Sequence, residues 1–303
     1  MVKTIKMRTL ILAEEQIKRI ISEELGIAKE VTIMANKIYD EIGKLYVRGI
    51  NEKVFQLKTE KSDVTVDYIS KVFNKSEDYY QWYYDNKRPD GYSYEKNTIF
   101  LTFVSIKGVG PNSDMYDTIQ HECEHYWECK NKGGAISTDR YQNIIKGIKN
   151  NNLIVQYFCK VMYYCNKHEI NAFVNGAYAS AMKKEKKYES YKDFILDNNV
   201  NDLYFTLKNF QKHLLKYDIN SSYFGQAMIY LNNNGIFSMG KDINNGIEKL
   251  RKQVRKYYTY FIKQIGKVYS LYCIKMKELD DAETRFRANE ILRKPFGDRE
   301  EFK

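Results

Sequence analysis

The sequence predicts an α+β fold in which a few short strands are flanked by helices and followed by a largely helical remainder. Three observations support this. Only three prolines, Pro89, Pro111 and Pro295, occur in 303 residues, and the chain is rich in Lys, Glu, Ile and Leu; such a composition favours long helices. Short runs of β-branched and aromatic residues lie between Val54 and Ile106, as strands require. Beyond Ser113 the apolar residues recur at helical spacing, with breaks at Asn150 to Asn152, Asn198 to Asn201 and Asn232 to Gly235.

Each element follows from its local pattern. Leu12 to Leu25 reads as an amphipathic helix, with Ile11, Ile17, Ile20, Ile21 and Leu25 near one face and Gly26 interrupting. A second helix, from about Ala28 to Tyr46, gathers Val31, Met34, Ile38, Ile42 and Leu45, and Gly49 marks its end. Val54 to Lys58 and Val64 to Tyr68 read as strands, and the polar stretch Glu60 to Asp63 between them suits a hairpin. An aromatic loop with Gly and Pro runs from about Ser76 to Lys96. Thr98 to Ile106 is the clearest strand, terminated by Gly108, Gly110 and Pro111. A helix then spans about Ser113 to Lys130, and Gly133 and Gly134 stop it. No linker rich in Pro, Gly or Ser fixes a domain boundary. A soft boundary near Lys187 divides the chain into residues 1–187 and a helical region, 188–303.

Composition excludes several classes. With 43% hydrophobic residues the chain is not disordered. No run approaches the roughly 18 apolar residues of a membrane span. Near the start, Lys3 and Lys6 precede a short apolar stretch, Leu10 to Ala13, that runs into Glu14 and Glu15; this does not read as a secretory signal, so a cytoplasmic location in the producing cell is expected. The five cysteines, Cys123, Cys129, Cys159, Cys165 and Cys273, are odd in number and suggest no disulfide framework. The net charge of +10 is spread along the chain, and its densest runs, near Lys183 to Lys187 and Lys249 to Lys256, read as exposed helix faces. A basic surface can attract nucleic acid, but no finger, helix-turn-helix or RNA-binding signature accompanies it, so that partner is not favoured.

The segment His121-Glu122-Cys123-Glu124-His125 carries the chemistry. A helix advances about 100° per residue, so positions i and i+4 share a face one turn apart. His121 and His125 can therefore grip one ion, and zinc accepts imidazole ligands in a tetrahedral arrangement. Glu122 follows the first histidine, where its carboxylate can take a proton from metal-bound water. Met115, Ile119, Cys123 and Tyr126 recur along the same helix as an apolar stripe, so Cys123 reads as a packing residue. Cys129 extends the histidine row by a turn and stays an alternative ligand beside a buried structural thiol. The chain has only four histidines, the others being His168 and His213, so the motif's context decides its weight.

That context resembles the zincin superfamily of metallopeptidases, in the branch whose third ligand is a glutamate. The resemblance covers roughly residues 28–185. It implies a small, mostly antiparallel sheet, an active-site helix and a glutamate helix, with Thr98 to Ile106 as the substrate-binding edge strand. The segment from Tyr163 to Tyr178 looks like the Glu-x-x-Ala helix of several zincin-like families, including ones from bacteriophage genomes. Glu169 would then be the third ligand, and Ala172 would let the two helices approach. His168 is the rival ligand, since imidazole serves zinc equally well; adjacent helix positions diverge too far for both to face the ion. Thermolysin-like relatives have an acidic residue four positions after the ligand glutamate, orienting a zinc histidine. Phe173 stands there instead. Asp114 and Asp117 are on the right helix but N-terminal to the ligands, and Tyr178 is one of many candidate transition-state donors.

The resemblance implies a zinc-dependent hydrolase acting on a protein or peptide, with His121, His125 and Glu169 as zinc ligands and Glu122 as general base. A second expectation is a structural or interaction protein, such as a virion or cargo component of a bacteriophage, that holds zinc with little or no turnover.

Overall fold

The computed structural model describes residues 29–75, 77–78, 81–82, 91–93, 95–106, 115–132, 139–184, 188–216, 222–240 and 242–276. The expected helix over Leu12 to Leu25 lies outside the described residues, as do the glycines and Pro111 expected to end the strand at Ile106.

Helix α1 (Lys29–Val47) buries Val31, Met34, Ala35, Ile38, Ile42 and Leu45, the stripe its periodicity indicates. Gly49 ends it with φ 68, and the Ile50 N–H returns to the Leu45 carbonyl at 2.9 Å. A glycine adopts that left-handed conformation without steric cost. Strands β1 (Glu52–Lys58) and β2 (Asp63–Phe73) form the expected hairpin, in register from Glu52 opposite Ile69 to Lys58 opposite Asp63. A short strand, β3 (Gly91–Ser93), precedes β4 (Thr98–Ile106). Asn97 turns the chain between them with φ 45, a conformation that Asn tolerates better than most residues.

The sheet order is β1-β2-β4-β3. It is mixed: two of its three pairings are antiparallel, as expected, while the longest is parallel, β2 and β4 running in register from Thr65 beside Thr98 to Phe73 beside Ile106. A parallel pair needs a crossover of a dozen or more residues, and residues 74–97 supply it. One departure concerns the edge. β4 is not the edge strand over its first turn of pairing, because β3 lies antiparallel beside Thr98 to Phe100. β3 takes the outer place there.

One sheet face carries Leu57, Val64, Val66, Tyr68, Ile99 and Leu101. These pack with the stripe of α1 and with Tyr116, Ile119, Cys123 and Tyr126 of helix α2 (Met115–Lys132). Each fully buried aliphatic side chain contributes roughly 1.5–3 kcal/mol, so this face fixes the orientation of α2. A second core joins α3 (Asp139–Ile148), α4 (Leu153–Tyr164) and α5 (Lys167–Lys184) to α6 (Tyr191–Leu196), α7 (Val200–Lys216), α8 (Ser222–Asn233) and α9 (Ile243–Lys275). Asn152 caps α4 by accepting from the Ile154 and Val155 N–H groups, and Asp242 caps α9 through the Asn245 N–H. Helix α5 serves both cores: Ala179 belongs to the first, and Ile170, Val174, Ala177 and Ala181 to the second. Among the described residues no helix is long and apolar enough to cross a membrane.

Candidate metal centre

The seam between α2 and α5 is set by small residues. A Cβ at Gly176 would collide with the Asp117 carboxylate and stand 3.0 Å from the Asp117 carbonyl oxygen, so only glycine permits this approach. Ala172, one turn earlier, is buried. The close approach carries Glu169, in the first turn of α5, up to the histidine face of α2.

Three ligand-type atoms converge there. His121 Nε2 and His125 Nε2 are 3.0 Å apart. Glu169 Oε2 lies 3.5 Å from the first and 3.4 Å from the second. A tetrahedral ion with bonds of about 2.0–2.1 Å holds neighbouring ligand atoms about 3.3 Å apart, so the triangle has the size of a zinc site. The donor set is also right for zinc, with two imidazoles and one carboxylate. Among the described residues Glu169 Oε2 has no hydrogen bond of normal geometry, although both imidazoles are near. A buried carboxylate oxygen in that state is costly, and a cation between the three atoms would relieve it. Among the described residues this is the one group of its kind.

The charges are tightly coupled. Burial would raise the Glu169 carboxyl, but His125 and His121 together hold it well below the usual carboxylate range. Burial works against charge on His125, yet Glu169, with Glu122 and Glu128 behind it, pushes the imidazole up to about 9. Glu122 is raised, chiefly by burial and partly offset by the two histidines. Its Oε1 is 4.0 Å from His121 Nε2. The Tyr92 backbone N–H of β3 donates to the same carboxylate, so Glu122 stands between the paired histidines and the outer strand of the sheet.

The other sequence candidates fall elsewhere. His168 Nδ1 is 2.8 Å from Glu128 Oε2 and its side chain is 35% exposed, so it is not a ligand at this centre. Cys123 is buried in the first core and Cys129 is a buried thiol outside the ligand group. Asp117 accepts from the Asn199 N–H at 3.3 Å and abuts Gly176, which gives it a role in joining helices. Tyr178 packs against the second core. Phe173 presses on His121 with ring centroids 4.4 Å apart, and among the described residues the buried His121 Nδ1 has no hydrogen-bond partner. Asp114 and the His213 side chain lie outside the described residues.

Several neighbours carry no signal in the sequence. The Tyr141 hydroxyl donates to Glu169 Oε1 at 3.1 Å, and Tyr163 is near enough to the same carboxylate for its charge to add to burial in raising the phenol's pKa. Both are anonymous among 27 tyrosines. Glu124 is buried and accepts from Asn175 Nδ2 at 3.0 Å; burial pushes its carboxyl up to about 7, against the pull of that hydrogen bond.

No protein-family model, no curated protein and no solved structure matches the chain.

Proposed function

We propose that the chain is a zinc-dependent metallopeptidase in which His121, His125 and Glu169 hold the ion and Glu122 is the general base. The observation behind this is the triangle of His121 Nε2, His125 Nε2 and Glu169 Oε2, with spacings of 3.0, 3.4 and 3.5 Å. Bound zinc would supply a Lewis acid that polarises a carbonyl and lowers the pKa of water. The residues around it divide the remaining work. Glu122 accepts a proton and returns it to the leaving amine. The Tyr92 N–H fixes that carboxylate beside β3, and an extended peptide added to the sheet edge there would be recognised through its backbone.

One observation favours a second reading, in which the region is a structural or interaction module that holds zinc without turnover. The side chains of His121, Glu122, His125 and Glu169 are only 8, 8, 12 and 1% exposed, which leaves little access for a substrate at the ligand triangle. The two readings separate in one experiment on the purified full chain, measuring zinc content and cleavage of an unfolded protein substrate for the wild type and Glu122→Gln. The peptidase reading expects one zinc per chain in both and a loss of about 10²–10⁴ in turnover in the variant. Zinc in both with cleavage in neither supports the structural reading. Absence of zinc after growth in zinc-replete medium sinks both.

A further inference from the structure

The two oxygens of Glu169 have different surroundings. Oε2 faces the two histidines, while Oε1 accepts from the Tyr141 hydroxyl at 3.1 Å. The last torsion of a glutamate is broad and roughly two-fold, so helix geometry alone does not decide which oxygen points where. A donor fixed on one oxygen aims the other.

Tyr141 is itself held from outside the α2–α5 seam. Its neighbours on α3 reach the turn after α8: Arg140 Nε donates to the Ile236 carbonyl at 2.8 Å, and Asn143 Nδ2 to the Asn234 carbonyl at 2.9 Å. Between those two carbonyls sits Gly235, with φ 64, which shapes the turn. On the other side, a Cβ at Gly147 would collide with Cys159 of α4 and stand 3.1 Å from the Tyr230 ring of α8. Helix α3 is thus pressed against α4 and α8 and bonded to the turn that follows α8.

We propose that Tyr141 is a positioning residue for Glu169, and that the C-terminal helices act on the metal centre by holding α3, which presents it. The inference rests on the zinc reading above. Partners of this kind, which hydrogen bond a metal ligand, change affinity by about 10- to 100-fold when removed.

The test is zinc affinity of the full chain, measured by competition with a chromophoric chelator, for the wild type, Tyr141→Phe, Asn143→Ala and the double variant. Melting of each metal-free protein is recorded alongside. Tyr141→Phe is expected to bind zinc about 10- to 100-fold more weakly, with metal-free melting unchanged. Asn143→Ala is expected to weaken binding in the wild-type background and to add nothing in the Tyr141→Phe background, since coupled residues are not additive. If the wild type binds zinc and Tyr141→Phe binds within about twofold of it, Tyr141 does not position Glu169 and only this inference falls. Metal-free melting that drops together with affinity assigns the hydroxyl to the fold and also overturns it. An equal loss from Asn143→Ala in both backgrounds removes the route through α3. A wild type that binds no zinc overturns the zinc reading and this inference with it.

Discussion

At the proposed zinc site, affinity should depend on pH well above the range in which an ordinary histidine stops mattering. Glu169 holds the His125 imidazole up at about 9 in the metal-free protein, against about 6.5 for an unperturbed side chain. Below that value the ion must displace a proton, so apparent affinity rises about tenfold per pH unit up to about 9 and then levels. From pH 7 to pH 9 the gain is about a hundredfold. Glu169 contributes no proton over this interval, because the histidines keep it ionised. The sign for the metal-free fold is the reverse. The raised pKa of His125 stabilises that fold fully below about 6.5, and the contribution is lost as the pH rises through about 9. Chelator competition between pH 6 and pH 9.5 reads the affinity, and calorimetry in buffers of different ionisation enthalpy reads the proton released, expected to be about one at pH 7. A profile that flattens above about pH 7, as for an unpaired histidine, would refute the coupling of His125 to Glu169.

Two further outcomes bear on the ligand set and the helix seam. His168→Ala should leave one zinc per chain and an unchanged affinity, because the His168 ring is paired with Glu128 away from the triangle; loss of zinc by elemental analysis would return His168 to the ligand set. Gly176→Val should lower the urea midpoint by an amount equivalent to roughly 1–3 kcal/mol, the usual cost of overpacking, since its Cβ meets the Asp117 carboxylate and carbonyl; an unchanged midpoint would show that α2 and α5 are not in close contact there.

How much of this was legible in the sequence depended on whether the signal was local. The α2 stripe was legible because Ile119, Cys123 and Tyr126 face one sheet and recur at helical spacing. The i, i+4 relation of His121 and His125 is likewise a property of one helix. β3 was not legible, because three residues, Gly91 to Ser93, are too few to show a period of two inside an aromatic loop. The parallel pairing of β2 and β4 was hidden for a different reason. Side-chain alternation is the same in either direction, and only the path of residues 74–97 decides it. Tyr141 is non-local altogether. Nothing near it in sequence marks it, and its partner Glu169 is 28 residues away. Phe173 is a case in which the sequence shows what is missing. It has no hydrogen-bonding group for His121, and His121 Nδ1 is without a partner among the described residues.

Helix α5 belongs to both hydrophobic cores, so a change at the ligand triangle reaches both. His121 and His125 come from a helix seated on the sheet, while Glu169 comes from the helix that the second core also grips. An ion bound by all three residues adds its binding free energy to the junction between the cores rather than to either alone. Metal-loaded protein should therefore unfold as one cooperative body, and chelation should let the sheet half and the helical half exchange amide hydrogens at separate rates.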